Sequence, residues 1–112
     1  MKVESKQTAD QIFAVAKLLE QVYETYPSNN PNEKLVRSIS FDLSDKFTSK
    51  QRTVYKSNNL FDVKKKYKIT LKYHEAFTLH AIIQYFLPSI PKNEKAYNDL
   101  LQLSNKLHQQ II

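Results

Sequence analysis

Two groups of residues in the chain have the types needed for chemistry. One is His74-Glu75 with His80. A zinc-protease helix carries its second His four residues after the first, with Glu beside it, so that both rings face one ion. Here the second His comes at i+6, about 240° around a helix from the first, and the rings diverge. The spacing places His74 at a helix start, His80 in a helix contact and His108 far along the last helix. No metal and no other cofactor is expected.

The other group is basic. Residues 46–72 carry Lys46, Lys50, Arg52, Lys56, Lys64, Lys65, Lys66, Lys68 and Lys72 against Asp62 alone. That segment is +8, and the rest of the chain −2, within a total of +6. Tyr55, Phe61, Tyr67 and Tyr73 are interleaved with the cations. Cations for phosphates and rings for stacking are what nucleic-acid contact requires. The candidate anion or nucleic-acid residues are Lys50, Arg52, Lys56, Lys64, Lys65, Lys66, Lys68 and Lys72. The alternative is a solvated lysine-rich loop that aids solubility and discourages edge pairing. A single Arg in this segment argues against bidentate base readout, and no helix pair offers an Arg, Asn and Gln reading face.

Catalysis by a nucleophile has no frame. The chain has no Cys and no G-x-S-x-G turn. The absence of Gly excludes phosphate-cradling glycine loops and dinucleotide fingerprints, which need its positive φ. Asp10, Glu20, Glu24, Asp42, Asp45, Glu94 and Asp99 fall on expected outer faces. The chain is expected not to be an enzyme.

The elements that must position these residues follow from periodicity. Tyr67, Ile69, Leu71 and Tyr73 alternate with Lys68, Thr70 and Lys72, the period of a half-buried strand. From 73 to 87 apolar residues then point nearly all round a helix, which predicts a central helix wrapped by the others. Glu75 falls in its first turn, where a carboxylate suits the positive end. Ahead of these, Thr8 and Gln11 form a capping box for a helix over 8–26, with Ile12, Val15, Ala16, Leu19, Val22, Tyr23 and Tyr26 on one face. Asn30 and Pro31 open a second helix, 31–55, on Leu35, Val36, Ile39, Leu43 and Phe47. A strand over 37–44, on Ile39, Phe41 and Leu43, competes with it and explains fewer positions. Leu60, Phe61 and Val63 either form a short strand or anchor a loop. Asn93 caps a last helix over 93–110. Phe47, Phe77 and Phe86 are assigned to the core, and residues 1–7 to a flexible N-terminus.

The expected fold is mainly α: one four-helix domain, 1–112, with a short extended or two-stranded element before the third helix. No apolar run approaches the ~20 residues of a membrane span, and the start has no apolar core of a secretory signal. A soluble protein in the cytoplasm of a cell or host, or in a virion, is expected, without membrane contact. Seven Tyr and six Phe exceed what four short helices need inside. Phe41, Phe61, Ile111 and Ile112 are the candidate protein contacts. Two functions follow. One is a non-enzymatic structural subunit working by protein–protein assembly with a partner or with itself, as in a phage particle or mobile element. The other is association with nucleic acid or another polyanion through 46–72.

Overall fold

Alternation and capping decide where each element starts. The computed structural model describes residues 2–57 and 64–112. Strand β1 (Lys2–Thr8) runs directly into helix α1 (Ala9–Thr25); α2 (Pro31–Lys56) follows after a short turn. Strand β2 (Lys66–Lys72) runs directly into α3 (Tyr73–Phe86), and a 3-10 turn at Leu87–Ser89 leads to α4 (Lys95–Ile111). The four-helix fold with a two-stranded element before the third helix is as the sequence implies, and 37–44 is helical.

The caps act as their residue types dictate. Thr8 Oγ1 accepts from the Gln11 amide at 3.2 Å, and Gln11 Oε1 accepts from the Thr8 amide at 3.0 Å. Asn30 Oδ1 accepts from the Glu33 amide at 2.9 Å, with Pro31 at the first helical position. The last helix differs from expectation: Glu94, not Asn93, occupies its N-cap, without a side-chain hydrogen bond. Its start is tied down instead by Lys95, which reaches Asp10 on α1 at 2.8 Å and Asp99 at 3.1 Å.

The helices run up, down, up, down. Arg37 donates to the Tyr23 carbonyl while Tyr55 stacks on Phe13, so α1 and α2 are antiparallel. Lys46 meets Glu75 while Ile39 lies by Thr78, so α2 and α3 are antiparallel. Tyr73 donates to the Ile111 carbonyl while Gln84 donates to Ser104, so α3 and α4 are too. Helix α4 also packs on α1, which closes the ring. One buried cluster joins all four helices and both strands, with Ile12, Leu19, Leu43, Phe47, Leu79, Ile82, Leu103 and Leu107 at its centre.

Three expectations are corrected. Of the N-terminus expected to be flexible, residues 2–7 are not loose: Lys2–Thr8 pairs antiparallel with Lys66–Lys72, Lys2 opposite Lys72 and Thr8 opposite Lys66. Its inward residues, Val3, Ser5 and Gln7, are buried although two are polar, because the ribbon lies on the helices. The proposed short strand or anchor at Leu60, Phe61 and Val63 lies outside the described residues. Helix α3 is not wrapped on every side: it packs against α2 and α4, and Tyr73, Phe77 and Tyr85 face outward at helical spacing of four. Phe77 is 57% exposed and so does not belong to the core assigned to it; Leu35, on the facing helix, is 59% exposed. A helix in a ring of four has two neighbours, and its far side stays at the surface.

Lys46, Glu75 and Lys72 stitch the ribbon to the bundle. Glu75 is 3% exposed. Its Oε1 accepts from Lys46 Nζ at 2.6 Å and from the Lys72 amide at 2.8 Å; Lys46 Nζ also donates to the Thr70 carbonyl at 3.2 Å. Burial alone would raise this carboxyl. The Lys46 and Lys72 hydrogen bonds, with the charges of Lys46 and His74, outweigh burial and hold it below the usual glutamate range. Its contribution to stability is therefore present above the ordinary value of 4.5 and lost as pH falls through the lower folded value. Replacing Glu75 with Gln should cost about 2 kcal/mol at neutral pH, the scale of hydrogen bonds to a charged group. It should also flatten the acid-side loss; urea midpoints across the acid range measure both. An unchanged midpoint and an unchanged acid limb would contradict this role.

Candidate nucleic-acid interface

The side-chain period of a strand turns every second residue to one face. On the inner face of the ribbon lie Val3, Ser5 and Gln7 with Tyr67, Ile69 and Leu71, all buried. The outer face therefore carries Lys2, Glu4, Lys6 and Thr8 with Lys66, Lys68, Thr70 and Lys72. Five lysines share it with one carboxylate. The register sets Lys2 directly opposite Lys72, and Lys6 directly opposite Lys68. Like charges opposite each other across strands destabilise a ribbon. Glu4 relieves part of this by pairing with Lys68 at 3.3 Å; both side chains are exposed, where such a pair contributes little.

Both edges of the ribbon are held by helices. On the β2 side, Lys46 donates to the Thr70 carbonyl. On the β1 side, Gln110 Nε2 donates to the Glu4 carbonyl at 2.7 Å. Basic residues continue onto these flanks. Lys50 and Lys68 line one shallow depression with Asp45, Ser49 and Thr70 between α2 and β2. Lys66 and Lys106 meet on the other side, between the ribbon and α4. The closeness of Lys66, then burial, holds the Lys106 ammonium below the usual lysine range.

The candidate residues from the sequence divide accordingly. Lys66, Lys68 and Lys72 share the outer face, and Lys50 flanks it. Lys65 lies over the Tyr67 ring, 5.5 Å from its centroid, a cation–π contact at the ribbon's end. Arg52 and Lys56 are exposed in the C-terminal turns of α2. Lys64 is an exposed turn residue preceding β2. Missing from the sequence reading are Lys2, Lys6 and Lys106. The alternation over 2–8 is present, but its inner positions are filled by Ser5 and Gln7, so no apolar rhythm reveals it.

The candidate protein contacts do not converge. Phe41 is half exposed and its ring lies against Tyr23, centroids 4.6 Å apart. Ile111 is half-buried beside Tyr73 at the end of α4, and Ile112 is 86% exposed. Phe61 lies outside the described residues. A more continuous apolar surface is the α2–α3 groove of about 320 Å³, with Leu35, Val36, Ile39, Phe77 and Ala81 in its walls.

The remaining ionisable cluster is small. His80 stacks on His108 across α3 and α4 with centroids 5.4 Å apart. Burial, and then the nearby His108, hold His80 below the usual histidine value. Among the described residues no three His, Asp or Glu side chains gather as metal ligands. Among the same residues no helix is long and apolar enough to cross a membrane. No family model, curated protein or solved structure matches the chain.

Proposed function

We propose that the chain is a non-enzymatic binding protein that associates with nucleic acid through the outer face of the β1–β2 ribbon. The observation that carries this reading is the register: it stacks lysine against lysine at two positions of one exposed face. That arrangement opposes ribbon formation, and edge protection does not account for it, because Lys46 and Gln110 already engage the two edges. A row of phosphates supplies the missing counter-charge. A two-stranded ribbon is also one of the two shapes that a DNA major groove admits.

The outer face has no Arg, Asn or Gln to pair with base edges. Lysine acts on phosphate as a point charge, so the binding is expected to be indifferent to sequence. The inner face seals the bundle while the outer one holds the ligand, which requires no moving part. The expected place of action is wherever the polymer is met, in the cytoplasm or inside a virion.

Fluorescence anisotropy with duplex and single-stranded oligonucleotides at about 50 mM salt tests this. If all five outer lysines meet phosphates, log K should fall with log salt at a slope near −4.5 on duplex DNA, about 0.9 per contact. Replacing Lys6, Lys68 and Lys72 with Gln should weaken binding equally on unrelated sequences and reduce the slope by about 3. Absence of binding at that salt, or a slope untouched by the substitutions, contradicts the proposal.

A second reading, assembly with another protein or a second copy as in a virion, has its own support. Phe77 and Leu35 stand more than half exposed on the walls of the α2–α3 groove, and Tyr73 and Tyr85 extend the stripe along α3. Large exposed apolar surface marks contact sites more often than solvent-facing ones. Light scattering should then show mass rising with concentration, and Phe77→Glu should return the protein to a monomer. A wild-type monomer at all concentrations, with no partner recovered by pull-down, counts against assembly.

A further inference from the structure

Between β1 and the last turns of α4 lies a cavity of about 460 Å³. Three lysines from three separate segments line it: Lys6 on β1, Lys66 at the start of β2 and Lys106 on α4. Ser5, Gln109 and Gln110 add neutral polar groups. Glu4 is the one carboxylate among the described lining residues; it pairs with Lys68 at 3.3 Å, and its backbone carbonyl accepts from Gln110. Among the described lining residues three lysines face this single carboxylate, so the wall keeps a net positive charge.

We propose that this cavity is an oxyanion site that takes a phosphate group, with Lys6, Lys66 and Lys106 as counter-charges and Gln109 and Gln110 as hydrogen-bonding neighbours. A phosphate monoester carries about −1.5 to −2 near neutral pH with three strong acceptor oxygens. That matches three lysines lining one cavity better than a single-charged carboxylate does. The volume lies within the ~300–1,000 Å³ of small-ligand sites, leaving room for what the phosphate is attached to. The depressed Lys106 ammonium is consistent with this. Lys66 disfavours its charge, and an anion between the two would restore it. The site goes beyond the ribbon reading, because it is a discrete pocket and depends on α4, which has no residue on the outer face.

The probe is inorganic phosphate titrated into the full chain by calorimetry at low salt, with acetate at equal ionic strength as the control. Saturable binding of phosphate, stronger than acetate, is expected. Lys106→Ala should weaken it about tenfold or more, as losing a charged hydrogen-bond partner does, while Lys106→Arg keeps most of it. A thermal melt of each variant shows that the fold is retained, since Lys106 is exposed. No saturable phosphate binding, or an affinity equal in wild type and Lys106→Ala, overturns the proposal.

An oligonucleotide added to the phosphate-loaded protein separates the two sources of the ligand. Displacement of phosphate assigns the pocket to the polymer's backbone; retention assigns it to a small phosphorylated molecule, and both support an oxyanion site. Failure of the ribbon reading leaves the phosphate titration intact and leaves any oligonucleotide binding unaffected by Lys68→Gln and Lys72→Gln, which lie outside the pocket. Failure of the pocket does the reverse: phosphate binding is lost and oligonucleotide binding stays sensitive to both substitutions.

Discussion

The pairing of the first strand with the strand before the third helix is the constraint on which the molecule depends. Each strand leads without a linker into a helix, β1 into α1 and β2 into α3. Those two helices occupy opposite corners of the ring, since each packs on α2 and α4. Joining the strands therefore ties the corners together across one end of the bundle. Seven residues per strand span about 20 Å, enough to cross the ~11–14 Å diagonal of a four-helix bundle whose neighbouring axes lie ~8–10 Å apart. The same pairing decides the chemistry of the surface. Because the side-chain period is two, a slip of one residue would turn the lysines inward and Val3, Ile69 and Leu71 out.

Polar groups inside the ribbon define its position as much as apolar ones. Gln7 is fully buried and donates to Ser5 at 3.0 Å. Gln7 Oε1 and the Tyr67 hydroxyl, on residues directly opposite in the register, have no hydrogen-bond partner among the described residues. Each unsatisfied buried group costs about 1–3 kcal/mol. The ribbon is thus held less by a dry core than by the helices around it. Glu75 anchors it through the Lys72 amide, Lys46 through the Thr70 carbonyl and Gln110 through the Glu4 carbonyl. A surface fixed on three sides by its own bundle can present charge to a ligand without ordering first, which spares the entropy a flexible basic tail would lose on binding.

Much of this was legible in the chain. The Thr8–Gln11 box, the Asn30–Pro31 start and the 67–72 alternation are local signals, and local physics decided them. What was hidden depended on neighbours. The N-terminal strand has Ser5 and Gln7 where a pattern search looks for apolar residues, and only its partner makes them interior. Helix α3 reads as apolar all round, yet a two-neighbour position in a ring leaves Tyr73, Phe77 and Tyr85 outside. Three of its four Tyr and Phe rings are at the surface, and only Phe86 is buried. Half of the basic face was visible in 66–72; the other half, Lys2 and Lys6, arrives through a pairing between residues more than sixty positions apart. Lys106 reaches the flank of that face from the opposite end of the chain, through the packing of α4 beside the ribbon.

The register itself can be measured. The protein has no Cys, so paired cysteines report on one contact at a time. Glu4 and Thr70 are opposite each other and exposed, a spacing across strands that a disulfide can bridge. Under mild oxidation Glu4→Cys with Thr70→Cys should close to a cross-linked monomer, while Glu4→Cys with Ile69→Cys, on opposite faces, should stay reduced. Equal cross-linking of the two pairs, or none in the first, would contradict the ribbon and the lysine face built on it.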